Sequence, residues 1–454
     1  MAKILLINAI NPNSEIQRRF PPLGLGYLAA SLFSRFPEGM FGVRIVDHGV
    51  EKEMVEFRPD VVGISAVTQN FKIACQYAEA AKTRGIPVIM GGMHISTLPN
   101  TLSKDMDVAV IGEGEETFAD LMKVFFQYRH FPKNEIADIP GVAFRNGDVL
   151  HKTAERELIE PLDRIPQPAR QLLKINGRGG IFSSRGCPYR CTFCSSSRYW
   201  GKVRFFSAEY VVEELKEMVG KYGMRRISFY DDLMIADLDR LYKLVDLINR
   251  EKSLAKVRFK VLARANLVTE QTAHLLSKMN VNAVGLGLES GNPRILRYLK
   301  GGNIHVEDNY ASIVKLHKYR ISAHASFVIG SPDETKKEIM DTYRFIKESD
   351  LDFFDIYVLT PFPGTPVWDY AKSIGKVQDE GMDWGRLNVN YHEVKDPVLV
   401  SGLPKTEIDD LYRKFRRHRL FRGARRIYFN PFLWDIFRAG VNRVMNGCGF
   451  AGSH

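Results

Sequence analysis

Three of the chain's five cysteines fall in one stretch, Ser183-Ser184-Arg185-Gly186-Cys187-Pro188-Tyr189-Arg190-Cys191-Thr192-Phe193-Cys194, at the spacing C-x3-C-x2-C. Thiolates spaced this way on one exposed loop can reach three corners of a cubane iron–sulfur cluster. An electron-transfer cluster takes four cysteines, and no fourth lies nearby in the sequence. One iron would then stay open, as catalytic metal sites keep a position for substrate. An amino acid's amine and carboxylate could chelate that iron and receive an electron from the cluster. The rival readings are structural thiols and a zinc ribbon. The ribbon needs a second cysteine or histidine pair at a matching distance, and none follows.

With its flanking Arg185-Gly186-Cys187-Pro188 and Phe193, this loop resembles that of the radical S-adenosylmethionine (SAM) superfamily. The resemblance implies one [4Fe-4S] cluster on Cys187, Cys191 and Cys194, which serve as metal ligands and catalytic residues. In that family the cluster reductively cleaves SAM to a 5′-deoxyadenosyl radical.

The elements that must position this loop occupy a chain of 454 residues, long enough for two or three domains. Hydrophobic content of 45% and charge of 26% are ordinary for a soluble protein. No uncharged apolar run approaches the length of a spanning helix. The start, Met1-Ala2-Lys3-Ile4-Leu5-Leu6-Ile7-Asn8, turns polar too soon for a signal peptide. Clustered cysteines fit a reduced compartment better than a disulfide framework, so a cytoplasmic location is expected.

Residues 1–130 alternate short apolar runs, at 3–8, 43–47, 61–65, 87–91 and 108–111, with helical patterns at 25–33 and 73–82. This predicts an α/β domain with a flavodoxin-like parallel sheet, which binds ligands at the carboxyl ends of its strands. The loops there are Pro21-Pro22-Leu23-Gly24-Leu25-Gly26, Ser65-Ala66-Val67-Thr68, Gly91-Gly92-Met93-His94 and Gly112-Glu113-Gly114-Glu115. Glycine in such loops lets a bulky ligand approach the backbone. Together the four resemble the cobalamin-binding domain that precedes the barrel in one class of radical SAM enzymes. That implies cobalamin contacts from Leu23, Gly24, Ser65, Ala66, Thr68, Gly91, Gly92, His94, Gly112, Glu113 and Gly114. Domains that ligate cobalt from below carry Asp-x-His-x-x-Gly after the first strand. Here that place holds Asn8-Ala9-Ile10-Asn11-Pro12-Asn13, and Asp47-His48-Gly49 has the wrong spacing, so no protein histidine is expected on the cobalt.

Residues 131–172 read as an ordered strap, with a hairpin signal at Asn146-Gly147-Asp148. Residues 173–395 return to alternation, with strands predicted at 181–184, 226–230, 259–263, 283–288, 322–330 and 354–359 and a helix at 208–222. This is a partial (β/α)6 barrel, with its chemistry at the strand C-terminal ends. The resemblance implies SAM contacts there from Phe193, Tyr230, Asp231, Asp232, Arg264, Glu289, Ser290, Ile329 and Gly330. Asp231 and Asp232 would face its amino group, Arg264 with Glu289 and Ser290 its carboxylate and ribose, and the segment with Ile329 and Gly330 its adenine. Pro361-Phe362-Pro363-Gly364-Thr365-Pro366 also recurs after strand six in the cobalamin-linked class. Cys75 and Cys448 are isolated, so one cluster is expected, and Cys75 reads as a small core residue.

Much of the formal charge of +11 is concentrated in a helical tail, 396–454. Ile408, Leu411, Tyr412 and Phe415 form its apolar stripe, among Arg413, Lys414, Arg416, Arg417, Arg419, Arg422, Arg425 and Arg426, followed by Tyr428, Phe429 and Trp434. The favoured reading is helices packed over the barrel. The alternative is peripheral contact with an anionic membrane face. No nucleic-acid motif accompanies the charge.

The combined expectation is a cobalamin-dependent radical SAM methyltransferase acting on an unactivated carbon of a small, lipid-type or tetrapyrrole-type substrate. It would be served by a one-electron donor such as flavodoxin or ferredoxin. The alternatives are a radical SAM cyclase, oxidase or coupling enzyme, with or without cobalamin, and a non-catalytic cobalamin or iron–sulfur sensor.

Overall fold

The computed structural model describes residues 1–11, 17, 20–175 and 178–426, side chains at 178 and 423–426 excepted. Two sheets organise them. The first contains β1 (Ala2–Ala9), β2 (Phe41–Val46), β3 (Val61–Ala66), β4 (Val88–Gly91), β5 (Val108–Val110), β6 (Val142–Asn146) and β7 (Val149–Lys152), in the order β2-β1-β3-β4-β5-β6-β7. The first five are parallel, in the flavodoxin-like order expected. Their near-continuous apolar runs, as in β1, reflect burial on both faces.

The β6–β7 hairpin is the first departure from the expectation. Instead of forming a separate strap, it joins this sheet antiparallel to β5, with Ala143 opposite Ala109. Gly147 makes the turn at φ +60°, where glycine carries no Cβ penalty. The pairing covers β5, a strand of three residues that would otherwise be an open edge.

The two faces of this sheet are built differently. Leu25, Leu32, Phe118, Leu121 and Phe125, from helices Leu23–Arg35 and Gly114–Tyr128, cover one face from within the first domain. On the other, Met54, Phe71, Ala74 and Ala78 are joined by Leu359, Val367, Trp368 and Trp384, returning from beyond the second sheet.

The second sheet contains β8 (Arg178–Ile181), β11 (Arg226–Phe229), β12 (Arg258–Ala263), β13 (Val281–Glu289), β14 (Ser322–Ile329) and β15 (Phe353–Val358). They run parallel in the order β15-β14-β13-β12-β11-β8. Between β8 and β11 lies a small antiparallel ribbon, β9 (Ser184–Arg185) with β10 (Arg204–Phe205). Helices such as Ala208–Gly220, Glu270–Lys278 and Lys336–Glu348 separate the strands, giving the open (β/α)6 arrangement.

Helix Lys405–Arg426 closes the β15 edge. Its stripe, Ile408, Leu411, Tyr412 and Phe415, is buried in the barrel core, Phe415 edge-on to Tyr343 at 5.2 Å. Arg419 pairs with Asp355 at 2.7 Å. This half of the tail is therefore a cover for the barrel. The side chains of Arg425, Arg426, Tyr428, Phe429 and Trp434 lie outside those described.

Candidate active site

Residues 186–203, with all three clustered cysteines, leave the fold at β9 and return at β10, where Arg185 lies opposite Arg204. Gly186 sits at φ +88°, and a Cβ there would run into the Lys202 carbonyl, so only glycine fits. The loop is then tied across the barrel mouth: Thr192 N–H donates to Leu299 O at 2.9 Å, and Val367 N–H donates to Thr192 O at 3.3 Å. Cys187, Cys191 and Cys194 are half-buried. Burial pushes the Cys187 thiol up to about 11 and raises that of Cys194, so metal binding must displace their protons.

Two cations stand beside them. Arg264, at the end of β12, points a guanidinium N–H at Cys191 Sγ, 3.6 Å away, and stacks on Tyr189 at 4.0 Å. Lys300 is buried close to Glu289, Arg264, Cys191 and Cys187, and its pKa is lowered by that burial. Positive charge beside thiols favours the thiolate form that iron requires. Among the described residues, no three His, Cys, Asp or Glu side chains converge as ligands of a single ion. A multi-iron cluster instead takes its thiolates at separate irons. The donor set and its cations thus fit a three-cysteine iron–sulfur cluster.

A cavity of about 390 Å³ runs between the two sheets, in the size range of small-molecule and cofactor sites. Its first-sheet wall carries Gly24, Ser65, Gly91, Gly92, Gly112, Glu113 and Gly114; its second carries Tyr230, Asp232 and, from the cluster loop and its stem, Ser184, Arg185, Tyr199 and Trp200. The wall is open at Gly24 and Gly112, where a Cβ would meet nothing within 4 Å, while Leu25, Leu28, Ile64 and Val110 line it between the glycines. Two buried hydroxyls in the wall, those of Tyr27 and Ser184, have no partner within the protein. An open glycine wall with unmet hydrogen-bonding groups fits a large polar cofactor such as cobalamin. No histidine is among the lining residues, and the sequence has none before His48, whose Nε2 lies 2.9 Å from Lys174 Nζ instead.

Four of the residues assigned to cobalamin by resemblance do not reach this cavity. Leu23 and Ala66 are core residues, and Thr68 is buried against His94. His94 has no exposed surface; it packs on Phe71 at 3.9 Å and Trp384 at 4.6 Å between ring centroids. Its Nδ1 lies 3.3 Å from Thr68 Oγ1 and its Nε2 3.2 Å from Thr101 Oγ1. Burial lowers its pKa to about 3, so it stays neutral and structural. Glu113 does line the cavity, but both its oxygens are occupied by Arg185, Arg204 and the Ile159 amide.

The residues assigned to SAM divide in the same way. Asp232 faces the cavity and accepts from Ser196 Oγ at 2.5 Å. It is open to solvent yet surrounded by protein, and that surrounding mass raises its pKa. Tyr230 lines the same space and lies over Gly180, where a Cβ would overlap its ring. Asp231 turns the other way. It is 1% exposed and accepts 2.6 Å bonds from the amides of Ser183 and Ser184 and from Ser183 Oγ. It is a latch between β11 and the root of the cluster loop, not a free carboxylate. Ser290 is fully buried against Thr342 at 3.0 Å. Ile329 lies in the barrel core, and the amide of Gly330 donates to Glu334 at 2.7 Å. Phe193 is half-buried against the apolar layer shared with the first sheet. Glu289, at φ +62°, keeps its carboxyl near Lys300 and Arg264. Lys300, Tyr27, Trp200 and Arg204 were not singled out from sequence, because none belongs to a local pattern.

Against known proteins, the radical SAM superfamily profile matches residues 181–346 and the B12 binding domain profile residues 13–122. An uncharacterized methyltransferase of Pyrococcus horikoshii is 31% identical, over 94% of this chain and 99% of that protein. The anaerobic magnesium-protoporphyrin IX monomethyl ester cyclase of Cereibacter sphaeroides is 24% identical, over 98% of this chain and 76% of the cyclase. Among solved structures, the methyltransferase TsrM of Kitasatospora setae, with cobalamin and a [4Fe-4S] cluster bound, superposes with a TM-score of 0.68 at 18% identity, over 88% of this chain and 81% of TsrM. The cobalamin-dependent enzyme OxsB gives 0.70 at 15% identity, over 98% of this chain and 75% of OxsB. These two share its fold. Cluster loop, glycine wall, profiles and relatives agree: the chain belongs to the B12-binding class of the radical SAM superfamily, enzymes that work with a [4Fe-4S] cluster, SAM and cobalamin.

Proposed function

We propose that this protein is a cobalamin-dependent methyltransferase that places a methyl group on an unactivated carbon of a small substrate. The observation that carries this reading is a cavity with the glycine wall on one side and the cluster loop's stem on the other. When bound, the cluster supplies the electron that cleaves SAM, and cobalamin supplies the methyl group. The chain's own residues divide the remaining work. Cys187, Cys191 and Cys194 would hold the cluster, with Arg264 and Lys300 offsetting its negative charge. Asp232 offers an acceptor to the SAM amino group, and Tyr230 and Trp200 wall the space. Gly24 and Gly112, where a Cβ would meet only open space, leave room for the corrin.

The test is anaerobic reconstitution with iron, sulfide and cobalamin, followed by SAM carrying a deuterated methyl group and a reductant. The label should move into the cobalamin fraction, and 5′-deoxyadenosine should form. If 5′-deoxyadenosine forms while the label never leaves SAM, methylation is wrong and the cyclase-type reading takes its place. If neither occurs, a sensor role is the better account.

The electron donor in this proposal is a flavodoxin or ferredoxin. Among the described residues no helix is long and apolar enough to cross a membrane. Exposed Leu420 and Phe421, beside exposed Arg416 and Arg417, support a peripheral contact with an anionic surface. Co-sedimentation with anionic vesicles at low and high salt tests it, since such attraction is screened by salt. No binding at low salt would leave the helix as a barrel cover only.

A further inference from the structure

We infer that Glu113 is the positioning residue that clasps the neck of the cluster loop, and that through it cobalamin binding and the setting of that loop are one linked equilibrium. The inference rests on the cofactor reading above. The two stems of the loop are β9 and β10, and their facing residues are Arg185 and Arg204. Like charges directly opposite on paired strands repel. Glu113 resolves this from the first domain: its Oε1 accepts from Arg185 at 2.6 Å and from Arg204 at 3.0 Å, and its Oε2 accepts from Arg204 at 2.9 Å. Glu115 takes the second guanidinium nitrogen of Arg185. All four side chains are buried, and two glutamates cancel two arginines. Burial works against the Arg185 charge, but the glutamates overrule it and hold its pKa above the ordinary value.

The clasp has a short mechanical path to the first cysteine. Only Gly186 separates Arg185 from Cys187, and it is locked at φ +88° against the Lys202 carbonyl. The neck's geometry therefore passes to Cys187 without a flexible spacer. The clasp also has a short path to the cavity. Glu113 lies between the two wall glycines Gly112 and Gly114, and Arg185 sits 5.7 Å from the Tyr27 ring and 5.2 Å from the Trp200 ring, both in the cavity wall. The Tyr199 hydroxyl of the loop donates to Gly112 O at 2.7 Å. A ligand that fills the cavity presses on the same residues that hold the neck. Linkage of this kind is reciprocal: whatever sets the loop must tighten cobalamin by the same factor.

The test uses the full chain with hydroxocobalamin as titrant, followed by its absorbance, with the cluster reconstituted and with iron removed. The wild type should bind at least about 5-fold more tightly with the cluster present, the low end of typical coupling. Glu113→Gln keeps the side chain's shape and removes its charge, so this ratio should fall to near one. Arg204→Lys, which keeps the charge but not the fork, should give an intermediate ratio. Should Glu113→Gln fail to fold, Arg204→Lys still decides the matter. A wild-type ratio of one overturns the inference. So does a variant that melts at lower temperature yet keeps the wild-type ratio, because the network is then only structural. Wild-type protein that binds no cobalamin removes the cofactor reading itself and this inference with it. Binding indifferent to the cluster removes the inference alone.

Discussion

The carboxyl-end rims of the two sheets solve the same problem by opposite means. The first rim leaves side chains out at its glycine positions and is otherwise lined by apolar ones. At Gly92, φ is +97° and a Cβ would come within 2.6 Å of Ala66 O, so the backbone itself forms the wall. The second rim is crowded with polar groups, and most of them serve the protein. Asp231 binds the Ser183 and Ser184 amides, Ser290 binds Thr342, and Glu334 binds the amides of Gly330 and Ser331. Glu334 is buried, which pushes its pKa up to about 7 despite those bonds. A large preformed cofactor suits an open wall, whereas a loop carrying a cluster needs bracing. Polar residues at strand ends are therefore not ligand contacts by default.

Substitutions at the two rims should separate bracing from ligand contact. Replacing Cys187, Cys191 or Cys194 by alanine should remove the bound iron and all SAM cleavage while circular dichroism shows the fold intact; Cys75→Ala, in a half-buried helical site, should keep full iron content. Full activity in Cys191→Ala would end the radical SAM assignment. Next, Asp231→Ala should cost about 3 kcal/mol in denaturant unfolding, since it strands buried amides. Its neighbour Asp232→Ala should cost under about 0.5 kcal/mol yet weaken SAM binding in equilibrium dialysis. The reverse pattern would mean brace and ligand contact have been exchanged.

Gly92→Ala forces a residue with a Cβ into a glycine-only conformation and should lose about 2 kcal/mol, together with cobalamin retention on gel filtration. His94 gives a pH effect. Its folded pKa of about 3 lies below the unfolded value near 6.5, so the unfolded chain binds the extra proton as pH falls through that window. Stability should drop by about 1 kcal/mol between pH 7.5 and 5.5, a slope that His94→Phe removes. A slope unchanged in that variant would place the titrating group elsewhere. The smallest effect has opposite signs for stability and function. Gly24 lies in a helix with open space around it, so Gly24→Ala should stabilise the fold by about 0.5 kcal/mol and weaken cobalamin binding. An alanine that leaves cofactor affinity untouched would show that the open wall is not a ligand surface.

Much of this was legible in the sequence because it depends on local pattern. Strands buried on both faces read as apolar runs, and three cysteines on one loop declare themselves by spacing. The hairpin's turn was legible, but its partner β5 was not, because nothing in a turn specifies which distant edge it covers. Asp231 and Asp232 lie just past β11, and which of two adjacent carboxylates is taken up by the protein is decided by the Ser183 and Ser184 amides brought beside Asp231. The burial of His94 depends on Trp384, far along the chain, and the role of Glu113 depends on two arginines in the other domain. No local pattern encodes such contacts.

The divided construction of the first sheet bears on how the chain is made. One apolar face receives its last buried member, Ala169, shortly after the first sheet has been synthesised. The other waits for Leu359, Val367, Trp368 and Trp384. A ribosome adding 5–20 residues per second leaves that face uncovered for roughly tens of seconds after β7 is complete. During that interval the nascent chain presents Met54, Phe71 and Ala78 to water, a surface for a chaperone or for another nascent chain. Fragments cut between the two sheets should inherit that exposure permanently.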